Sequence, residues 1–408
     1  MRKFLLILII VFLLILTAPL SNFKHQNQSE NEIIVWTLQM SDFADYMNKV
    51  IKEFEAQNPD IKIKWIDVPF SEGEKRTLAS VLSDTPPDLI NLNPDFSATL
   101  AQKGTLYEIE EENLSQFNSG ILNSLKYKGK LYSIPWYATS AVTIYNKDLI
   151  EKSGIKIPET YEELKNSAKI VREKTNAYIF LPNITENDTM LRILNKYGIN
   201  SYENINSEKS KEVFEMFKYL YQENLIPPES ITQTHREALE KYMSGNIVLF
   251  QAGANFLNMI KENAPSTYAQ TDVAPQLKGE LGQNDFSLMN FVIPLRAKNK
   301  NEALKFALFL TNKENQLELA KLTNVIAVNN QALNDNFYKT YDNTDLMSKA
   351  RTISANQLNK VEPVMHSNRN QKDINNLINS SVQEILLNKS DTSSILDKVS
   401  KEWQILID

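Results

Sequence analysis

The side chains of this chain best placed for chemistry suit holding a small polar molecule, not breaking a bond in it. Trp136 and Tyr137 follow Pro135, which lacks the N–H that a central strand needs. Both rings are therefore expected on irregular backbone between two strands, where aromatic faces can be presented to a ligand. Gln39 follows a predicted first strand, and Asn93 and Asp95 follow the run DLINLN. Open α/β sheets bind ligands at such carboxyl ends of strands, although residues around Pro94 also suit turn and cap chemistry. Asn255 and Asn290 follow strands in the second half, where each amide can donate and accept toward hydroxyls or cap its own loop. Trp36 and Trp65 fall inside predicted strands and Trp403 on a helix face, so packing accounts for all three.

Other chemistries find little material. The chain has no cysteine, which removes disulfides, thiolate metal sites and thiol nucleophiles, and suits passage into an oxidising compartment. His25, His235 and His366 are too scattered for a metal motif, and no G-x-S-x-G elbow occurs. Ten glycines in 408 residues leave little from which to build a phosphate cradle, and no cofactor is indicated. A net charge of −6 makes nucleic acid a poor partner. The run Glu110–Glu112 reads as a solvated face. A glycoside hydrolase also stacks sugars and needs only two carboxylates a few Å apart, but no spacing rule exposes such a pair.

The elements that must carry these residues follow from the hydrophobic pattern. Composition, 42% hydrophobic and 23% charged, is that of a folded protein, and the length suits two domains. Arg2 and Lys3 precede the uncharged apolar run Phe4–Leu16, an export signal. Pro19 and Leu20 spoil the small-x-small cleavage pattern, so residues 1–20 read as a signal peptide or an uncleaved N-terminal anchor, and residues 21–31 as a tether. Glu32–Leu38 reads as a buried strand. Phe43, Met47, Val50, Ile51 and Phe54 recur at helical spacing, and Ile61–Val68 alternates, which together make a βαβ unit of a parallel, helix-covered sheet. Lys128–Lys130 turns a hairpin, Ala141–Tyr145 is a strand, and Thr160 with Glu163 forms a capping box ahead of Tyr161, Leu164, Ala168 and Val171. A helix ending at Gly245 precedes the strand Ile247–Gln251. Asn301–Thr311 is a buried helix, and 373–387 and 394–406 are amphipathic helices.

The order KGKLYSIPWY, IYNKDLIEKSGIKIP, ETYEEL resembles the extracellular solute-binding proteins of ABC importers, in the maltose-binding-protein-like branch that binds sugars and oligosaccharides. The resemblance covers nearly the whole chain beyond the tether and is strongest at 127–165, 237–253 and 289–322. It implies an α/β, two-lobed periplasmic-binding-protein-like fold with discontinuous lobes and a hinge. One lobe would comprise 32–138 and 274–322, the other 139–273 and 323–408. It further implies a monomeric carrier that performs no catalysis, captures a carbohydrate by hinge closure and delivers it to ABC permease subunits driven by a separate ATPase. Many relatives are lipoproteins; lacking cysteine, this chain is expected in the periplasm or at the cell surface without a lipid. A sugar-stacking tryptophan of the family falls at Asn255, beside Phe256, so Trp136 and Tyr137 would carry the stacking. The alternatives are a secreted or membrane-anchored glycan-processing enzyme and a surface glycan-binding module without a transporter. Which sugar is bound, or whether a polyamine or glycerol phosphate replaces it, is not written in the residues.

Overall fold

β1 (Glu32–Leu38) and β3 (Leu89–Leu92) are apolar enough to be covered on both faces. Ile33, Val35 and Leu89 enter one core cluster while Trp36, Leu38, Ile90 and Leu92 face another, as expected of strands buried from two sides. The helix Ala44–Gln57 lays Met47, Val50 and Phe54 on the first face. It feeds β2 (Lys62–Val68), and β2 and β3 both pair parallel to β1. The computed structural model describes residues 32–323, 325–342, 344–358, 370–387 and 391–407. The N-terminal segment and tether, with His25 and His366, lie outside the described residues.

A hairpin of β4 (Lys126–Tyr127) and β5 (Lys130–Leu131) turns on Lys128 and Gly129, at φ 49° and 80°. Two consecutive positive φ values are those of a type I′ turn, whose twist matches its flanking strands. β6 (Ser133–Thr139) follows, and here the expected irregular segment is a continuous strand that contains Pro135. The reason lies in its neighbour. β11 (Ser287–Val292), reached after β7 (Val142–Asn146), β8 (Tyr178–Phe180), β9 (Ile247–Ala252) and β10 (Thr271–Ala274), shifts register between Met289 and Asn290, and Pro135 sits opposite that shift. Irregular pairing there tolerates a missing donor.

The first sheet runs β12-β6-β11-β3-β1-β2, where β12 is Ile326–Ala327, and the second runs β10-β7-β9-β8. Parallel pairing holds for β1, β2 and β3 in the first sheet and for β8 with β9 in the second, while β11 lies antiparallel between β3 and β6. Each sheet is the centre of a lobe. The expected boundaries also shift. β12 pairs with β6, and Ile326, Val328, Ala332 and Tyr338 pack in the first core, so the segment after 323 stays in the first lobe. Residues 275–282 stay with the second lobe: Lys278 N–H donates to Glu159 O at 2.9 Å and Leu281 N–H to Lys196 O at 3.1 Å. A Cβ on Gly279 would come within 2.5 Å of the Lys196 carbonyl, so only glycine permits this approach.

The chain therefore crosses between lobes at Ser140–Ala141, again before Phe286, and a third time along the helix Leu346–Gln357, which packs on β12 and on β7 and β10. The terminal helices Gln371–Leu387 and Thr392–Ile407 bury Ile378, Val382, Leu396 and Trp403 in the second core.

Candidate binding cleft

β3 ends at Leu92, and Asn93 immediately caps the helix Pro94–Gln102, its Oδ1 accepting the Phe96 N–H at 2.7 Å. Pro94 occupies the first helical position, where no N–H is needed. Ser97 Oγ donates to Asn93 O at 2.9 Å, and fully buried Asn290 donates Nδ2 to Ser97 Oγ at 2.8 Å. Asn93 and Asn290 thus brace the cap, and Asn290 has no surface to offer a ligand. Asn93→Ala is expected to lower folding stability by about 1 kcal/mol, the worth of a lost N-cap. Urea denaturation checks this, with Asn93→Ser, which can still accept the Phe96 N–H, recovering most of the loss.

Asp95, in the first turn of that helix, is left half-buried, and its side chain is not engaged in the cap. Burial pushes its carboxyl up from 3.8 to about 6; Arg192 pulls it down, and Asp188 and Glu74 push it further up. Asp95 and Glu74 belong to the first lobe, Asp188 and Arg192 to the second, so these charges face one another across the space between the lobes.

Arg192 comes from the helix Thr189–Asn195, whose approach is set by the loop after β8. There Asn183 and Asn187 adopt φ 48° and 52°, a conformation asparagine tolerates well. Asn183 Nδ2 donates to Gln233 O at 2.8 Å, Thr185 Oγ1 to Ile231 O at 2.7 Å, and Glu186 accepts the His235 N–H at 2.9 Å while also touching the His235 ring. The loop is thereby fastened to the start of the helix His235–Met243. Arg192 Nε donates to Asp188 Oδ2 at 2.8 Å and Nη1 to Phe286 O at 3.3 Å. Burial works against the guanidinium charge, but Asp188, Asp285 and Asp95 more than offset it and raise its pKa. Of five N–H donors, two serve these bonds, so donors are left to meet a solute. Among the described residues no ion pair joins Arg192 to Asp95 directly.

The aromatic expectation needs correction. Trp136 is 0% exposed, with its ring 4.5 Å from that of Phe291 and 5.0 Å from that of Tyr137. On the alternating strand β6 it shares the core face with Ile134 and Ala138, so it is a packing residue. Tyr137 is half-buried, its hydroxyl pushed up to about 12 by burial. Gln39 is exposed at φ 54°, where its N–H donates to Val68 O at 3.0 Å, at the carboxyl end of the first sheet. Asn255 is exposed just before the helix Phe256–Asn263 and makes no side-chain cap bond, while the Phe256 ring packs inward, 6.3 Å from Phe250. The structure brings Asp95 together with Asp188 and Arg192, which the sequence reading missed. The only local signal was the polar run Asn183–Asp188 after a strand of three residues.

With two lobes, three crossings and a charged cleft in view, comparison with known families is decisive. The family model for the bacterial extracellular solute-binding protein matches residues 39–317. The chain belongs to this family. A multiple sugar-binding protein of Streptococcus mutans is 24% identical over 323 residues, 73% of this chain and 75% of the relative. A periplasmic-binding protein from Synechococcus sp. MITs9220, provisionally named for oligosaccharides, is similar in crystal structure with a TM-score of 0.83 and 27% identity, over 91% of this chain and 98% of that one. The sugar-binding protein MalE of Xanthomonas citri shares the fold at a TM-score of 0.80 and 17% identity, over 92% and 97%. Members of the family carry the names of binding proteins, and the two-lobed α/β architecture of this solute-binding protein is theirs.

Proposed function

We propose that this solute-binding protein is an exported, monomeric carrier that captures a carbohydrate between its lobes and delivers it to the permease of an ABC importer with a separate ATPase. The observation that carries this reading is the meeting of Asp95 from one lobe with Arg192 and Asp188 from the other across one cleft. A solute that contacts both lobes favours the closed state by its differential affinity, and closure is the signal a permease can read. Acceptors on one wall and unspent guanidinium donors on the other suit hydroxyl groups, and the sugar-binding relatives support that class. Gln39, Asp95, Tyr137 and Asn255 are the contacts we assign from the sequence expectation, and Asp188 and Arg192 those added from the structure.

A thermal-shift screen of the purified protein tests this. A carbohydrate at 100 times its dissociation constant is expected to add about 2.7 kcal/mol of stability, and mass spectrometry is expected to recover it unchanged. A shift with polyamines or glycerol phosphate alone overturns the carbohydrate class, and recovery of cleaved glycan overturns the carrier reading.

A further inference from the structure

The three crossings between the lobes meet in one buried knot of amides. Gln276, in the second lobe ahead of the second crossing and 0% exposed, donates its backbone N–H to Gln357 Oε1 at 2.8 Å. Its Nε2 donates to Ser140 Oγ at 3.2 Å, on the first crossing, and to Asp285 O at 3.0 Å. Its Oε1 accepts from Asp285 N–H at 3.1 Å and from Lys196 Nζ at 2.5 Å. Gln357, at the end of the third crossing and 5% exposed, donates Nε2 to the same Ser140 Oγ at 2.8 Å and to Ala141 O at 2.9 Å. Its backbone carbonyl accepts from Asn284 at 3.3 Å. Behind Gln276, the ammonium of Lys196, 2% exposed, also lies 3.4 Å from Asp285.

Three unconnected crossings would let the lobes swing over a wide range. Here a rotation of any crossing against the others pulls apart several directional bonds away from water, and each buried polar group left unpaired carries its full desolvation penalty. The knot also reaches the cleft. Arg192 lies one helical turn before Lys196, on the same face, and donates to the Phe286 carbonyl beside Asp285. The angle at the crossings therefore fixes how far the Arg192 guanidinium stands from Asp95.

We infer that Gln276 and Gln357 are positioning residues for solute capture, which set the resting angle between the lobes through their shared bond to Ser140 although both are buried away from any solute. The inference rests on capture by lobe closure for its functional consequence: a change in the fraction of molecules ready to bind rescales the apparent affinity by that fraction. Its direct test needs no solute. Because the chain has no cysteine, spin labels can be placed at will. Lys75→Cys on the first lobe and Arg236→Cys on the second, both exposed, report the interlobe distance by double electron–electron resonance.

Gln276→Ala is expected to shift or widen that distance distribution. Gln276→Glu keeps the acceptor facing Lys196 but loses both Nε2 bonds, and should do the same. Ser140→Ala removes only the hydroxyl that both amides address, and guards against a variant that does not fold. Asn93→Ala, destabilising at a helix cap that shares no hydrogen bond with the knot, should leave the parent distribution in place. Lower melting with an unaltered distribution in folded Ser140→Ala and Gln276→Glu overturns the inference and leaves the knot a structural feature only. A failed solute screen would not produce that result, so the two outcomes are distinguishable.

Discussion

Trp136→Ala is expected to cost about 3–5 kcal/mol of folding stability, the range for deleting a large buried aromatic. The indole is 0% exposed and lies between the rings of Phe291 and Tyr137 in the first core. Removing it opens a cavity under β6 and β11, the strands that lead into the first crossing and out of the second. Such a loss is a large fraction of the roughly 5–15 kcal/mol that holds a protein folded, so the variant will unfold at a markedly lower urea concentration. Urea denaturation followed by circular dichroism measures it. A loss below about 1 kcal/mol in a folded variant would show that the ring sits at a surface, and would restore it as a candidate for stacking. Trp136→Phe, which keeps an aromatic ring in the same slot, should cost distinctly less than alanine. Loss of solute binding in the alanine variant implicates the ring in binding only where circular dichroism shows the variant folded.

What the sequence made legible was whatever depends on neighbours along the chain. The helix after Thr160 begins where expected because the Thr160 hydroxyl accepts the Glu163 N–H at 3.1 Å, three residues away. The unit from β1 through the helix Ala44–Gln57 to β2 was readable because its apolar periods of two and 3.6 each persist over several residues. The place of Pro135 inside β6 was not readable, since it depends on a register shift in β11 about 150 residues later in the chain. β12 is two residues long and β8 three, too short for any period to declare itself. The cleft suffered most. Asn93 could be read as a cap or a contact from its own turn, and the structure makes it a cap. The burial of Asp95 is produced by a second lobe folded from distant sequence, and nothing around Asn183–Arg192 announces that it will arrive opposite.

That burial makes the behaviour of Asp95 testable in two directions at once. Asp95→Asn is expected to stabilise the solute-free protein at neutral pH while weakening its grip on solute. The folded-state pKa of about 6 lies above the ordinary 3.8, so the fold penalises the ionised carboxyl. Below pH 3.8 the group is protonated in both the folded and the unfolded chain, and its contribution to stability is fully present. Between 3.8 and 6 the folded chain holds the proton more tightly, and as pH rises through 6 the contribution is lost. In a dry site the loss would reach about 3 kcal/mol; solvent reaching the half-buried side chain reduces the expectation to about 1–2 kcal/mol. Asparagine cannot ionise, so the variant should be more stable than the parent by that amount at pH 7.5 and equal to it near pH 3.5. Arg192, Asp188 and Glu74 are present in both proteins, so the difference between them isolates Asp95. Binding should move the other way. A hydrogen bond to a charged group contributes about 1.5–3 kcal/mol, and its loss corresponds to roughly ten- to hundredfold weaker affinity by titration calorimetry. Stabilisation with unchanged affinity would leave Asp95 a desolvated carboxyl outside the site. Destabilisation at neutral pH would show that the helix N-terminus and Arg192 hold the ionised carboxyl more strongly than burial opposes it.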